Sequence, residues 1–120
     1  MDPRHQKRID LLQNLFAWTF TPQTLESALT TQKGEELKLL QSLPDIDAMI
    51  FSAAPERALS EVNKVDLAVL RLVLFEASHS KTPKKVLVDE AIELAKEFGS
   101  DSSSKFVNGV LAKLLLERAE

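Results

Sequence analysis

The sequence has no cysteine among its 120 residues, so it can form neither disulfides nor thiolate metal sites. This absence favours a reducing, cytoplasmic setting. Only three glycines occur, and none lies in a glycine-rich loop of the kind that holds phosphates. The two histidines, His5 and His79, are far apart in the sequence, so we expect neither a metal site nor a bound cofactor.

Long apolar runs and an excess of positive charge are also missing. No run approaches the ~20 apolar residues that a membrane-spanning helix needs, and the polar first residues lack a signal-peptide pattern. The formal net charge is −3, which excludes a globally basic nucleic-acid-binding protein and leaves room only for a local basic patch. The length predicts a single domain over residues 1–120, with no membrane association.

The segment VDLAVLRLVLF, residues 65–75, is the most apolar part of the chain. Good helix formers flank it and no turn residue interrupts it, so it predicts a helix that other elements cover on most sides. Arg71 lies inside this segment. We expect it to be paired or to reach a surface, because an unpaired buried guanidinium is too costly.

Further helices are predicted on both sides of this central one, which we expect to end near residues 78–80. Asp2-Pro3, Thr21-Pro22 and Thr82-Pro83 each place a capping residue before a proline, as at helix starts. Gly34, Pro44 and Pro55 predict helix ends or bends. The predicted helices cover about 2–19, 22–32, 35–42, 45–54, 84–98 and 105–118. No strand pattern stands out, so the fold class is all-α.

For the C-terminal third of the chain, the sequence predicts a helix cap, a close approach at a glycine and an acidic face. Ser102 or Ser103, in the loop GSDSSS, should cap the last helix. The apolar stripe of that helix continues through Gly109, which suggests a close approach there by another helix or a ligand. Glu90 and Glu93 are i, i+3 neighbours on the preceding helix. We interpret them as part of a solvated acidic face rather than a catalytic pair, since nothing resembles a catalytic constellation.

Positive charge is concentrated at predicted helix starts. Helix N-termini offer free N–H groups to anions, so cations placed there would form a phosphate-binding patch if the starts converge; the alternative is an ordinary solvated basic face. Phe106 could pack in the core or stack on an unpaired base. The cations in question are Arg4, Lys7, Arg8, Lys84, Lys85 and Lys105.

Two strings of the C-terminal half resemble the NusB family of transcription antitermination factors: NKVDLAVLRLVLFE, and PKKVLVDEAIELAKEFGSDSSSKFVNGVL. The resemblance is strong over residues 59–113. It implies two small helical bundles that share a long central helix, and no enzymatic activity. It also implies binding of the single-stranded boxA RNA of rRNA operons together with the ribosomal protein NusE, within the RNA polymerase antitermination complex.

The resemblance also assigns residues. The start of the central helix, around Asp66, corresponds to the contact with NusE. Arg71, Glu76 and Glu90 correspond to internal polar positions, which we interpret as structural. The positions implied in RNA binding are Arg4, Lys7, Arg8, Phe16, Ser102, Lys105, Phe106 and Asn108.

The chain departs from the family pattern in two places. His5 and Gln6 occupy positions where the family usually has arginine. The segment 33–57 is shorter than in the family, so a helix of the first bundle should be shortened or differently placed. The thin basic start leaves an alternative open: an interaction module that binds NusE or another partner with weak or no RNA binding. Some family members form homodimers, and the sequence does not decide the oligomeric state.

Overall fold

The computed structural model describes residues 2–116, which form six α-helices and contain no strand. A 3₁₀ turn, Leu59–Glu61, precedes α4, and a π-helical segment, Ala112–Leu116, follows α6. In the described part of the chain, no helix is both long and apolar enough to cross a membrane. The predicted all-α class is confirmed. The helices are α1 (Pro3–Trp18), α2 (Pro22–Thr31), α3 (Gly34–Ala53), α4 (Lys64–His79), α5 (Lys84–Phe98) and α6 (Ser103–Leu111).

Helix α4 is the predicted central helix, and both halves of the molecule share it. On one side α1 and α3 pack against α4 while α2 contacts both of them; on the other side α5 and α6 pack against each other and against α4. Each large side chain buried in this way stabilises the fold by about 1.5–3 kcal/mol. The buried apolar residues of α4 are Leu67, Ala68, Val69, Leu70, Leu72, Val73, Leu74 and Phe75.

The starts of α1 and α2 follow the predicted pattern. The Asp2 carboxylate accepts from the backbone N–H of Arg4 at 2.9 Å, and a proline occupies the first turn. At α2, Thr21 and Thr24 cap each other, since each side-chain oxygen accepts from the other residue's backbone N–H. These local bonds satisfy N–H groups that have no partner within the helix.

The start of α5 lies where we predicted it, but the capping prediction is wrong. Pro83 itself occupies the N-cap position, and no side chain of the described residues caps the helix there. Thr82 instead donates its hydroxyl to Glu76 Oε2 at 3.2 Å. The threonine therefore ties the loop to α4 rather than to α5.

Helix α3 contradicts the predicted break at Pro44. It is one helix of 20 residues with the proline inside it. Pro44 is exposed and cannot donate to the carbonyl of Leu40, yet Leu43 and Ile46 on either side are buried in phase. Packing of this stripe outweighs the lost hydrogen bond. Gly34 begins α3 rather than closing α2, with a φ of +62° that favours glycine.

The corner between α5 and α6 is held by a buried serine. Ser103 is fully buried, and its Oγ accepts from the backbone N–H of Ser100 at 2.8 Å. A Cβ at Gly99 would collide with this hydroxyl, so glycine permits the close approach. Neither Ser102 nor Ser103 caps α6 through a side-chain bond to another described residue, contrary to prediction.

The end of the last helix also differs from prediction. Gly109 is exposed, and no atom of residues 2–116 outside its own helix lies within 4 Å of a Cβ placed there. No neighbouring helix of the described chain therefore explains this glycine. The α-helical part ends at Leu111 and continues as the π-helical segment Ala112–Leu116, while residues 117 and 118 of the predicted helix lie outside the described residues.

Arg71 is paired, as predicted. Its Nε and Nη2 each donate to one carboxylate oxygen of Asp47, both at 2.8 Å. The side chains are only 13% and 24% exposed, so this bidentate pair joins α3 to α4 at the edge of the core.

Removing the guanidinium should destabilise the protein, because Asp47 would remain partly buried without its counter-charge. We expect Arg71→Ala to lower the free energy of unfolding by about 2–3 kcal/mol, less than for a fully buried pair. Urea unfolding measures the change, and Lys38→Ala, at an exposed position of α3, is the control. Equal stabilities of the two variants would show that the pair contributes nothing.

Candidate nucleic-acid interface

A cleft opens where α6 begins beside the first turn of α4. It places four of the predicted RNA-binding or partner positions together: Ser102, Lys105 and Phe106 border it, and Asp66 lies in its wall. Asn108 is exposed one turn after Lys105 on α6. The complete lining is Arg57, Glu61, Asn63, Asp66, Ser100, Ser102, Lys105 and Phe106.

Phe106 is half-buried, so part of its ring lies in the core and part lies at the surface. The guanidinium of Arg57 lies over the ring, 4.8 Å from its centroid. Arg57 comes from the linker between α3 and α4. The sequence gives no signal for it, because only the fold brings residue 57 beside residue 106.

Asp66 is buried, with 4% of its surface exposed. Asn63 caps α4 by accepting from the backbone N–H groups of Val65 and Asp66, at 2.8 and 3.2 Å. The carboxylate of Asp66 has less support, since its Oδ1 has no hydrogen-bond partner in the described part of the chain. Burial raises the pKa of Asp66, and nearby Ser103 and Arg57 only partly offset this effect.

Phe16 lies at the same end of α4 but in a different, apolar groove. That groove is lined by Leu12, Gln13, Phe16, Val65 and Phe98. The ring of Phe16 also packs at a tilt against Phe20, with the centroids 5.6 Å apart. Phe16 is therefore partly buried and separate from the cleft that contains Phe106.

The N-terminal cations lie at the other end of α4. Arg4 and Lys7 are exposed and border a shallow cleft whose lining includes Leu11, Phe75 and His79. Lys84 and Lys85 begin α5 at this same end. The helix starts therefore do not all converge, because about ten residues of α4, or roughly 15 Å, separate Lys105 from the N-terminal cations.

Arg8 is not available as a surface cation. Its side chain is 11% exposed; Nη2 donates to Glu76 Oε2 at 2.6 Å, and Nη1 donates to Glu90 Oε1 at 2.9 Å. Glu76 and Glu90, which we interpreted from the sequence as internal and structural, therefore both pair with Arg8. The RNA-binding role of Arg8 stays a prediction, but its guanidinium already has carboxylate partners.

His5 extends this network. Its Nδ1 lies 3.0 Å from Glu90 Oε1, and its Nε2 lies 3.7 Å from Glu97 Oε1. The hydrogen bond with Glu90 raises the pKa of His5. Desolvation opposes ionisation of Glu90, but the bonds from His5 and Arg8 outweigh it, so the pKa of Glu90 is lowered.

The same network contains a geometric candidate for a metal site. Ligand atoms of His5, Glu90 and Glu93 lie within 4.8 Å of one another. However, Glu90 Oε1 already bonds to His5 and to the guanidinium of Arg8. A nearby guanidinium opposes a cation, so we interpret the cluster as an ionic network.

Comparison with known proteins gives a consistent result over nearly the whole chain. The model of the NusB family matches residues 5–115. The transcription antitermination protein NusB of Lysinibacillus sphaericus is 40% identical, with 92% of this chain and 94% of the relative covered. That of Chloroflexus aggregans is 42% identical, with 93% and 86% covered. The solved structure of T. maritima NusB is 32% identical with a TM-score of 0.78, covering 98% of this chain and 94% of that one.

The two N-terminal arginines should respond differently to substitution. Arg8→Ala leaves Glu76 and Glu90 without their shared cation and should cost about 3 kcal/mol of stability. Arg4→Ala, at a side chain that is 81% exposed, should change stability by less than about 0.5 kcal/mol. Thermal and urea unfolding of both variants test this. Comparable losses would mean that the ion pairs of Arg8 add nothing.

Stability should depend on the protonation of His5. A pKa raised in the folded state gives a contribution that is complete below the unfolded value of about 6.5 and is lost as the pH rises through the folded value. Urea unfolding between about pH 6 and pH 9 should therefore show a decline that His5→Gln flattens. An identical pH profile for His5→Gln would contradict the assignment.

Proposed function

Because the chain belongs to the NusB family of transcription antitermination proteins, we propose that it binds the single-stranded boxA RNA of rRNA operons together with the ribosomal protein NusE. In this role it joins the antitermination complex of RNA polymerase in the cytoplasm and acts by binding alone, without catalysis. The cleft at the start of α6 is the observation that carries the RNA-binding part of this proposal.

The chemistry of that cleft suits an unpaired strand. Aromatic rings and guanidinium planes stack on exposed bases, and Phe106 and Arg57 supply one of each. Lys105 is exposed at the start of α6, where its charge and the free N–H groups of the helix attract phosphate. Ser102 and Asn108 add exposed hydrogen-bonding groups. This combination gives an acidic protein a local site for RNA.

The exposed cations at the other end of α4 extend the proposed site. Arg4 and Lys7 can neutralise phosphates of a strand that continues beyond the cleft, and Phe16 adds an aromatic edge. We place the NusE contact at the first turn of α4, around Asp66. Asn63 and Lys64 are the exposed residues next to it, so a docking protein meets them first.

A second function is favoured by one specific observation. Arg8 is bound by Glu76 and Glu90, which leaves fewer free cations at the N-terminus than the sequence suggests. A protein with too few free cations would still bind its protein partner but would bind RNA weakly or not at all. That protein would be an interaction module that binds NusE or another partner.

Fluorescence anisotropy with a labelled boxA-type RNA, with and without NusE, tests the proposal. We expect binding that NusE strengthens and that a scrambled RNA does not reproduce. The logarithm of affinity should fall with the logarithm of salt concentration by about 0.7 for each neutralised phosphate. A stable complex with NusE that binds no RNA would instead establish the interaction module.

Two variants locate the site. Phe106→Leu keeps an apolar side chain at the core but removes the ring, and it should weaken RNA binding about tenfold, within the range for loss of one stacked base. Lys105→Gln should reduce the salt dependence by about one phosphate. Lys38→Gln, at an exposed lysine of α3 outside both proposed surfaces, is the matched control. Unchanged RNA affinity in the first two variants would remove the cleft from the interface.

A further inference from the structure

One oxygen of the carboxylate in the wall of the cleft has no hydrogen-bond partner in the described chain. The other two ionisable side chains that α4 buries or half-buries along its length have partners: Arg71 bonds to Asp47, and Glu76 bonds to Arg8. Asp66 is more buried than either, yet its Oδ1 has no partner among residues 2–116. A buried acceptor left in this state lowers stability, so a bound group that donates to it would remove a cost.

The surroundings of Asp66 indicate what that group is. The Phe106 ring and the Arg57 guanidinium border the same cleft and offer stacking surfaces for a flat, aromatic ligand. Lys105 lies at the cleft and is exposed, in position to attract an anionic group joined to that ligand. A stacking surface, a cation and a buried acceptor together fit one nucleotide of an unpaired strand.

We propose that this cleft selects a guanine: its base stacks on Phe106, and its N1–H and exocyclic amino group donate to Asp66. An ionised carboxylate only accepts hydrogen bonds. Guanine presents two neighbouring donors on its Watson–Crick edge. Adenine and cytosine place an acceptor nitrogen beside their amino group, and uracil flanks its N–H with two carbonyls, so each brings an acceptor towards the carboxylate.

Arg57 completes the nucleotide site. In the structure it covers the face of Phe106, and it belongs to the linker before α4 rather than to a helix. The exposed guanidinium moves outward to admit the base and then lies over its far face. This assignment rests on the proposed RNA-binding function, and it deepens that function by naming the base that the cleft reads.

The test compares short labelled oligouridylates that carry one central guanine, adenine or hypoxanthine. Anisotropy at low salt should give about tenfold tighter binding for guanine than for adenine, in the range for a bidentate base contact. Hypoxanthine keeps N1–H but lacks the amino group, so its affinity should lie between the two. This part of the test changes only the RNA and leaves the protein intact.

Asp66→Asn should bring the ratio of guanine to adenine affinity close to one, because the amide presents a donor as well as an acceptor. Glu61→Gln is the matched control: it removes the same charge from an exposed position in the same cleft. It should raise affinity for all three RNAs alike and keep the guanine preference. The melting temperature of Asp66→Asn should not fall, since Oδ1 has no partner in the described chain and burial disfavours the charged carboxylate.

Three outcomes would overturn the assignment. RNA binding by the wild-type chain without a guanine preference would refute the base reading while leaving the proposed function standing. A guanine preference that Asp66→Asn retains would do the same. Failure of the folded wild-type chain, with and without NusE, to bind any of these RNAs or a boxA-type RNA would refute the proposed function itself.

Discussion

The need to cover α4 organises the molecule. This helix is apolar on most of its surface, so α1, α3, α5 and α6 all pack against it and α2 is held through its neighbours. Because α4 is buried, each charged side chain on it lowers the stability of the fold unless it has a partner. Arg71 and Glu76 have partners on α3 and α1. Asp66 lacks one for its Oδ1 within the described chain, which makes it the exception in the central helix.

Pairing inside the bundle limits the charge that remains on the surface. Arg8 joins α1 to α4 and α5 through Glu76 and Glu90, and His5 strengthens the same contact. The residues that fix the first helix in place are therefore drawn from its basic N-terminal turns. In the proposed function, recognition of an anionic strand would then depend more on stacking and on a few exposed cations such as Lys105. With so few exposed cations, contacts supplied by a protein partner would add to the affinity for the strand.

The two candidate surfaces lie at opposite ends of α4, and this separation has a functional consequence. The cleft with Phe106 offers stacking and a buried acceptor, whereas the turns around Arg4 and Lys7 offer positive charge with little specificity. Phosphate contacts position a strand and base contacts identify it. An RNA strand that crosses the protein surface from one end of α4 to the other would thus be positioned by the N-terminal cations, and its bases would be recognised in the cleft.

The sequence alone determined what depends on neighbouring residues and on apolar periodicity. It predicted the all-α class, the central helix, the caps at Asp2 and Thr21, and the need of Arg71 for a partner, because these follow from local hydrogen bonds and from which face is apolar. The tertiary structure decided what depends on distant contacts: the continuation of α3 through Pro44, the burial of Arg8 between two glutamates, and the contact of Arg57 with Phe106 in the same cleft as Asp66. Periodicity shows that a side chain is buried, but the partner it meets is set by the packing of helices far apart in the chain.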